Sequence, residues 1–415
     1  MRVRSAVAAV VAAVVLGLTA CSSGGSSGSV TLDYWGFAPL PQYLVDRYQK
    51  DHPGVTIRAK IGDYDASHQT LLTALASGGG PDIAQVAIDY VGEYRASPQS
   101  FHDLREYGAG SLESQFVPWR WKGGVVSDGS ILGLPTDVGG MAIAYRTDLF
   151  AQAGLPTDPA QVSALTKTWG GYIDLGKRYV AATGKKFVDS GKAVFRAESN
   201  QADVKYVDAS GKPVYDSNPK LRQAWDDGMA VIAAGLSFNV ATYTPQWNAA
   251  VANGDVATLV VPAWMLSQIQ KQAPATEGKW NIATLPGVVG NDGGSFMMIP
   301  KGAKHAKEAY DFISWLVAPE QQLEVFTTEQ SFPSATKLYT DPAVIGLKSS
   351  FFGNAPVGQI YVDSVKGLAG YPIGAKDRVI ENKFESGVGR VDQGIQDPVA
   401  SWAQVMAESS AELSR

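Results

Sequence analysis

The chain has one cysteine and four histidines in 415 residues. A single thiol closes no disulfide within the chain and cannot supply the paired cysteines of a zinc or redox site. The histidines, His52, His68, His102 and His305, show no H-E-x-x-H or similar metal spacing. Each falls near a helix end or turn among polar neighbours, where a solvated role is expected. No G-x-S-x-G elbow and no P-loop pattern occurs, so neither that class of serine hydrolase nor a P-loop nucleotide site is supported. No run spaces its acids as a calcium loop does. Carboxylate pairs stand at Asp63/Asp65 and Asp226/Asp227, but neighbours on a helix point in different directions, so the second pair reads as a solvated face. Lys and Arg number 35 against 40 Asp and Glu, a formal charge of -5, without a basic block. Nucleic acid is therefore not an expected partner.

Long apolar runs are also scarce. Only Ala6 to Ala20 stands out, about fifteen small or apolar residues behind Arg2 and Arg4. That is short of the roughly 20 residues a spanning helix needs and fits the apolar region of a secretory signal. Cys21 follows directly, in "LTACSSGGSSGS". Leu18-Thr19-Ala20-Cys21 resembles the lipobox of bacterial lipoproteins, in which the chain is cut before the cysteine and its thiol is lipidated. The alternative is a plain secretion signal with an incidental cysteine; a free thiol beside the cleavage site would be a liability in an oxidising compartment, which favours lipidation. Residues 1–20 then form a signal peptide, and 21–29 an anchor with a Ser/Gly tether of roughly 15 Å root-mean-square span.

The mature chain is long enough for two domains that need no covalent staples. "VTLDYWGF" alternates as a half-buried strand does. A helix around 41–50, a second alternating run in "VTIRAKIG", a helix capped by Ser67, and a short buried strand in "PDIAQVAI" follow. This rhythm is that of a parallel sheet covered by helices. Farther on, Asn218-Pro219 and Thr244-Pro245 open helices, "ATLVVPA" reads as a buried strand, and 204–216 as a hairpin with Ser210-Gly211 at its tip. Ser295 to Ile299 reads as a further strand. Ala309, Phe312, Ile313 and Leu316 mark an amphipathic helix, and a last helix turns Ile395, Val399, Trp402, Met406 and Leu413 inward.

Aromatic content is high, with ten Trp and seventeen Tyr. Trp225, Trp315 and Trp402 lie on apolar helical stripes and read as core. Trp35, Trp247 and Trp264 are the exceptions. Trp35 and Trp264 fall at the carboxyl ends of strands, where open α/β sheets bind ligands. An indole there suits stacking on a sugar's C–H face while Asp, Asn and Ser take its hydroxyls. A hinge or core role is the alternative for each.

Nine stretches in order carry a resemblance across nearly the whole mature chain: "LDYWGF", "YQKDHPGVTI", "LLTALASGGGPDIAQV", "HDLREY", "DGSILGLPTDVGGMAIAYRTDLFAQAGL", "AAVANGDVATLVVPAWM", "WNIATLPG", "GGSFMMIPKGAKHAKEAYDFISWLVAPEQQ" and "FPS". Together they resemble the extracellular solute-binding proteins of carbohydrate ABC importers, the group that includes maltodextrin-binding proteins. The resemblance implies a periplasmic-binding-protein-like α/β fold of type II-like topology, two lobes joined by a hinge around a ligand cleft. Lobe 1 is expected at 30–138 plus 290–335, lobe 2 at 139–289 plus 336–415. The "PxDxGG…YR" segment would be the first crossing and place Asp137 in the cleft. Trp35, Phe37, Asp65, Asp89, Trp247, Trp264, Gly294 and Ser295 complete the expected ligand set. Two features depart from better-marked members: a longer "PTDPAQVSALTKTWGG", and no tryptophan in "YVGEYRA" after Asp89.

The implied function is capture of a mono- to oligosaccharide and delivery to permease subunits. No catalysis, no metal and no cofactor is implied, and the chain is expected to be a monomer tied to the outer face of the cell membrane through Cys21. Rival readings are the same fold binding another solute (glycerophosphodiester, amino sugar or peptide), a secreted glycosidase, or an adhesive surface lipoprotein. Arg146 and Arg120 are the basic residues placed near the crossing and the aromatic cluster, which favours a neutral sugar.

Overall fold

The computed structural model describes residues 29–414; the apolar leader, Cys21 and most of the tether lie outside the described residues. These contain eight strands: β1 Val30–Gly36, β2 Val55–Ile61, β3 Ile83–Ala87, β4 Gly133–Pro135, β5 Met141–Arg146, β6 Thr258–Pro262, β7 Trp280–Thr284 and β8 Ser295–Met298. They form a five-stranded sheet in the order β2-β1-β3-β8-β4 and a three-stranded sheet in the order β6-β5-β7. β1 runs parallel to β2 and β3, whereas β8 is antiparallel to both β3 and β4. The parallel pairs require crossovers, which the helices Gln42–Asp51 and Tyr64–Ala76 provide. In the smaller sheet β5 is central and all six of its residues are buried. That explains its unbroken apolar run: a strand covered on both faces has no polar side to alternate with.

The chain passes between the sheets in three segments that lie side by side. The segment after β4 is the middle one. Val138 N–H donates to Phe332 O at 2.8 Å on one side, and Asp292 N–H donates to Gly139 O at 2.7 Å on the other. Gly139 N–H also donates to the Asn291 side chain at 2.8 Å. The approach is close enough that a Cβ on Gly139 would lie 1.8 Å from the Asp292 carbonyl oxygen. Gly139 of "DVGGM" therefore serves backbone contact, while Gly140 leaves room for Val365, whose Cγ1 would lie 2.8 Å from a Cβ there.

Three local expectations are corrected, and a fourth holds in shorter form. Asp63, not Ser67, caps the second helix: its carboxylate accepts from the N–H groups of Asp65 and Ala66, and the helix starts three residues before Ser67. The 204–216 segment does reverse at Ser210-Gly211, with Asp208 N–H donating to Lys212 O and Val214 N–H to Tyr206 O, each at 2.9 Å, but its one bridge, Val207 with Pro213, is too short to make strands. The last helix begins only at Pro398, so Ile395 lies outside its periodicity. Ile395 and Val399 are 65% and 79% exposed, and Ser401, Val405 and Ser409 face inward instead. His68 is buried. Among the described residues no helix is long and apolar enough to cross a membrane.

Candidate functional site

Between the two sheets lies a cavity of about 900 Å³, near the upper end of the roughly 300–1,000 Å³ usual for ligand pockets. Phe37 follows β1, Asp89 follows β3, and Trp264 follows β6, so the carboxyl ends of three strands contribute to it. Asp137 lies in its floor and ties the three crossing segments together. Oδ1 accepts from Ser295 N–H at 3.0 Å and from the Thr136 hydroxyl at 2.5 Å, and Oδ2 accepts from the Ser331 hydroxyl at 3.3 Å. Beneath it Arg120 donates Nε to Asp137 O and Nη2 to Ser295 O, each at 3.0 Å. Its guanidinium rests 4.3 Å from the Phe296 ring centroid, and burial pulls its pKa down to about 10. Gly294 fits over this strut because it has no side chain: a Cβ would stand 2.6 Å from Arg120 Nη2, and its φ of +93° suits glycine.

Two aromatic faces meet the cavity from the three-stranded side. Trp264 donates Nε1–H to Asp292 O at 3.0 Å, which fixes the plane of its indole. Tyr243 stands beside it with ring centroids 6.0 Å apart and is 46% exposed. Its φ of +68° is uncommon for a residue with a side chain. Behind this pair Asp189 reaches the cavity wall, accepting from Trp247 Nε1 at 2.9 Å and from Ser190 N–H at 2.8 Å. Burial raises its pKa to about 6.

The adjoining wall, which meets the aromatic pair at Asp292, is ionic. Arg196, on the helix Gly191–Ser199, contacts Asp89 Oδ2 at 2.8 Å, Asp292 Oδ1 at 2.7 Å and Glu385 Oε1 at 2.8 Å. Arg378 reaches Asp65 at 3.1 Å and Glu381 at 3.2 Å. Burial opposes charge on Asp89, but the Arg196 and Arg378 guanidiniums hold its pKa well below the usual carboxylate range. Burial likewise opposes charge on Arg196, and the carboxylates of Asp292, Asp89, Glu381 and Glu385 raise its pKa.

Behind Tyr64 and Ala87, which both line the cavity, His68 is 1% exposed. Its Nδ1 lies 2.7 Å from Tyr64 O and its Nε2 accepts from Ala87 N–H at 3.1 Å. A carbonyl only accepts and an amide N–H only donates, so the ring is neutral with its proton on Nδ1. It stacks on Tyr90 at 3.9 Å. Burial lowers its pKa to about 4.

Of the residues expected from sequence, Phe37, Asp65, Asp89, Asp137, Trp264, Gly294 and Ser295 line the cavity, whereas Trp35 and Trp247 do not. Trp35 is one pleat position out. Tyr34 takes the buried side of β1, so Trp35 projects from the other face under Lys60, whose Nζ is 4.3 Å from the ring centroid. Trp247 is fully buried and meets the cavity only indirectly, through Asp189 and the ring of Tyr243. The two arginines placed near the site also move. Arg146 is paired with Asp148 at 2.7 Å, away from the cavity, and Arg120 lies under the floor. Sequence reasoning missed Tyr64, Asp189, Arg196, Tyr243 and Arg378. Only Tyr243 carried a signal, an aromatic in the loop just before the Thr244-Pro245 helix start.

Residues 43–347 match the family of bacterial extracellular solute-binding proteins. The chain is 26% identical over 390 residues to a lactose-binding protein of Rhizobium radiobacter, covering 87% of this chain and 86% of that one. It is 26% identical over 331 residues to an arabinooligosaccharide-binding protein of Bacillus subtilis, covering 74% of each. Among solved structures, an extracellular solute-binding protein of family 1 superposes with a TM-score of 0.83 at 34% identity, over 92% of this chain and 99% of that one. With its two α/β lobes and the cleft between them, the chain belongs to the bacterial extracellular solute-binding protein family.

Proposed function

We propose that the chain is the sugar-binding component of an ABC importer, holding a neutral mono- to oligosaccharide between its lobes and presenting it to the permease. The observation that carries this reading is the wall of the cavity. Trp264 and Tyr243 offer adjoining aromatic faces in the cavity that the carboxylates of Asp137 and Asp189 and the hydroxyl-bearing Ser190 also line. Aromatic faces take the apolar C–H faces of a pyranose, and acceptor-rich groups take its hydroxyls. The relatives, a lactose-binding and an arabinooligosaccharide-binding protein, support the same class. Arg196 and Arg378 are each held by carboxylates, so neither guanidinium is left for a phosphate or uronate, which weighs against an anionic solute. Ligand then acts by favouring the closed arrangement of the lobes.

The lobe boundaries follow as part of this reading: 30–138 with 290–335, and 139–289 with 336–415. Sheet membership supports them, because β1 to β4 and β8 fall in the first set and β5 to β7 in the second. The apolar leader and lone Cys21 support lipid anchoring at the outer face of the membrane, as does similarity to a lipoprotein of Streptomyces antibioticus. The reading is of capture without turnover. Isothermal calorimetry against neutral mono- and oligosaccharides tests it, with chromogenic glycosides as the control for hydrolysis.

A further inference from the structure

The ionic wall joins elements that belong to opposite sheets. The helix Ile88–Arg95, which carries Asp89 near its start, packs on β3 and β8. The helix Gly191–Ser199, which carries Arg196, packs on β6 and on the helix Pro219–Ala233. The helix Asp377–Asp392 packs on both of these last two and supplies Glu385 and Arg378. The Arg196–Asp89 contact at 2.8 Å and the Arg378–Asp65 contact at 3.1 Å therefore run from one half of the molecule to the other. Backbone closes the same seam: a Cβ on Gly92 would lie 2.1 Å from Gly374 O. Each of these contacts is made directly between protein groups.

We propose that Asp89 and Arg196 are the closure-determining pair of this protein, an ionic clasp that holds the lobes together before any solute arrives. It rests on the reading that the lobes open and close around a ligand. The side chains are 8% and 20% exposed, so salt and water screen the contact far less than a surface ion pair. The clasp is also asymmetric. Arg196 is the shared counter-ion of Asp89, Asp292 and Glu385, and without it these three carboxylates keep only two more distant cations, Arg378 at 3.8 Å from Asp89 and Lys192 at 3.7 Å from Glu385. Removing the cation thus does more than delete an attraction; it leaves a repulsion that opens the lobes. Removing Asp89 deletes the attraction alone. A ligand that binds only the closed form sees its affinity scaled by the closed fraction, so this pair sets affinity through the closed fraction as well as through any contact with the solute.

The test is a distance measurement on the ligand-free protein, between dyes at the exposed Thr70 of the helix Tyr64–Ala76 and Asn382 of the helix Asp377–Asp392. Wild type is expected to show a closed population. The closed-to-open ratio should fall about tenfold or more in Asp89→Asn and further in Arg196→Gln, because a broken buried pair is costly. The double variant should recover part of what Arg196→Gln loses, because the repulsion is relieved. Circular dichroism melting of each variant confirms that the fold is kept, and Asp89→Asn is isosteric should Arg196→Gln fail to fold. A ligand-free wild type without a closed population, single variants with unchanged ratios, or losses that simply multiply in the double variant would each overturn the clasp. No sugar enters this experiment, so its failure is separate from a failure to bind sugar.

Discussion

His68 makes a quantitative prediction possible, because its ring is locked in one protonation state by two backbone groups. Protonating Nε2 would lose the acceptor for Ala87 N–H inside a wall that is 1% exposed at this residue. The unfolded chain takes up that proton near pH 6.5, whereas burial lowers the folded value to about 4. The folded value is depressed, so the His68 contribution is fully present above about pH 6.5 and is lost as pH falls toward 4. Two and a half units correspond to about 3 kcal/mol. Raw acid curves will not display it cleanly. Asp189 and Asp377 have pKa values raised by burial to about 6 and about 7, and they gain stability over part of the same range as pH falls. The comparison is therefore between wild type and His68→Gln. The stability difference in urea unfolding should shrink by about 3 kcal/mol between pH 7.5 and pH 4, and an NMR titration of the His68 ring should give a midpoint near the lowered value. Parallel stability curves, or a midpoint at the ordinary histidine value, would refute the argument. Because His68 braces Tyr64 and Ala87 at the cavity wall, solute affinity should weaken over the same acid window.

Three further outcomes follow. Trp264→Ala removes the indole fixed by Asp292 O and should weaken sugar binding about fivefold or more, about 1–3 kcal/mol; calorimetry giving unchanged affinity would remove Trp264 from the site. Gly139→Ala places a Cβ 1.8 Å from Asp292 O, so the crossing segments must separate and the melting temperature must drop sharply; a melt matching wild type would show that the segments do not approach as described. Cys21→Ala should release the protein from the membrane fraction into the medium, and intact-mass analysis of the wild-type N-terminus should show an acylated cysteine; an unmodified thiol on Cys21 would sink the anchor.

How much of this was legible in the sequence depended on whether the signal was local. The strands β1 to β3 and β6 follow from alternation or short apolar runs, and the starts at Pro219 and Pro245 follow from their caps, Asn218 and Thr244. Asp137 and Gly294 were reachable only through the resemblance, since nothing in "PTDVGG" itself shows that three segments converge there. Trp35 and Trp247 show the limit of reading aromatics one at a time. Whether an indole faces a cleft depends on pleat parity in the first case and on rotation about a helix in the second, and a shift of one residue reverses the answer. Arg196 and Arg378 were invisible for a different reason. They sit 182 positions apart on helices whose packing is tertiary, and a lone arginine in "AVFRAES" looks like any solvated helical residue. His68 failed likewise: its polar neighbours in sequence are replaced by Tyr90 and Phe37 in space.

Calorimetric titration of the purified protein with neutral sugars, lactose and arabino-oligosaccharides among them, bears most directly on the central reading. At least one should bind saturably with one site per chain and a micromolar or tighter dissociation constant, with the negative heat-capacity change of surface burial, while chromogenic glycosides stay intact. Absence of binding across neutral sugars alongside tight binding of an anionic or peptide solute, or turnover of a glycoside, would contradict it.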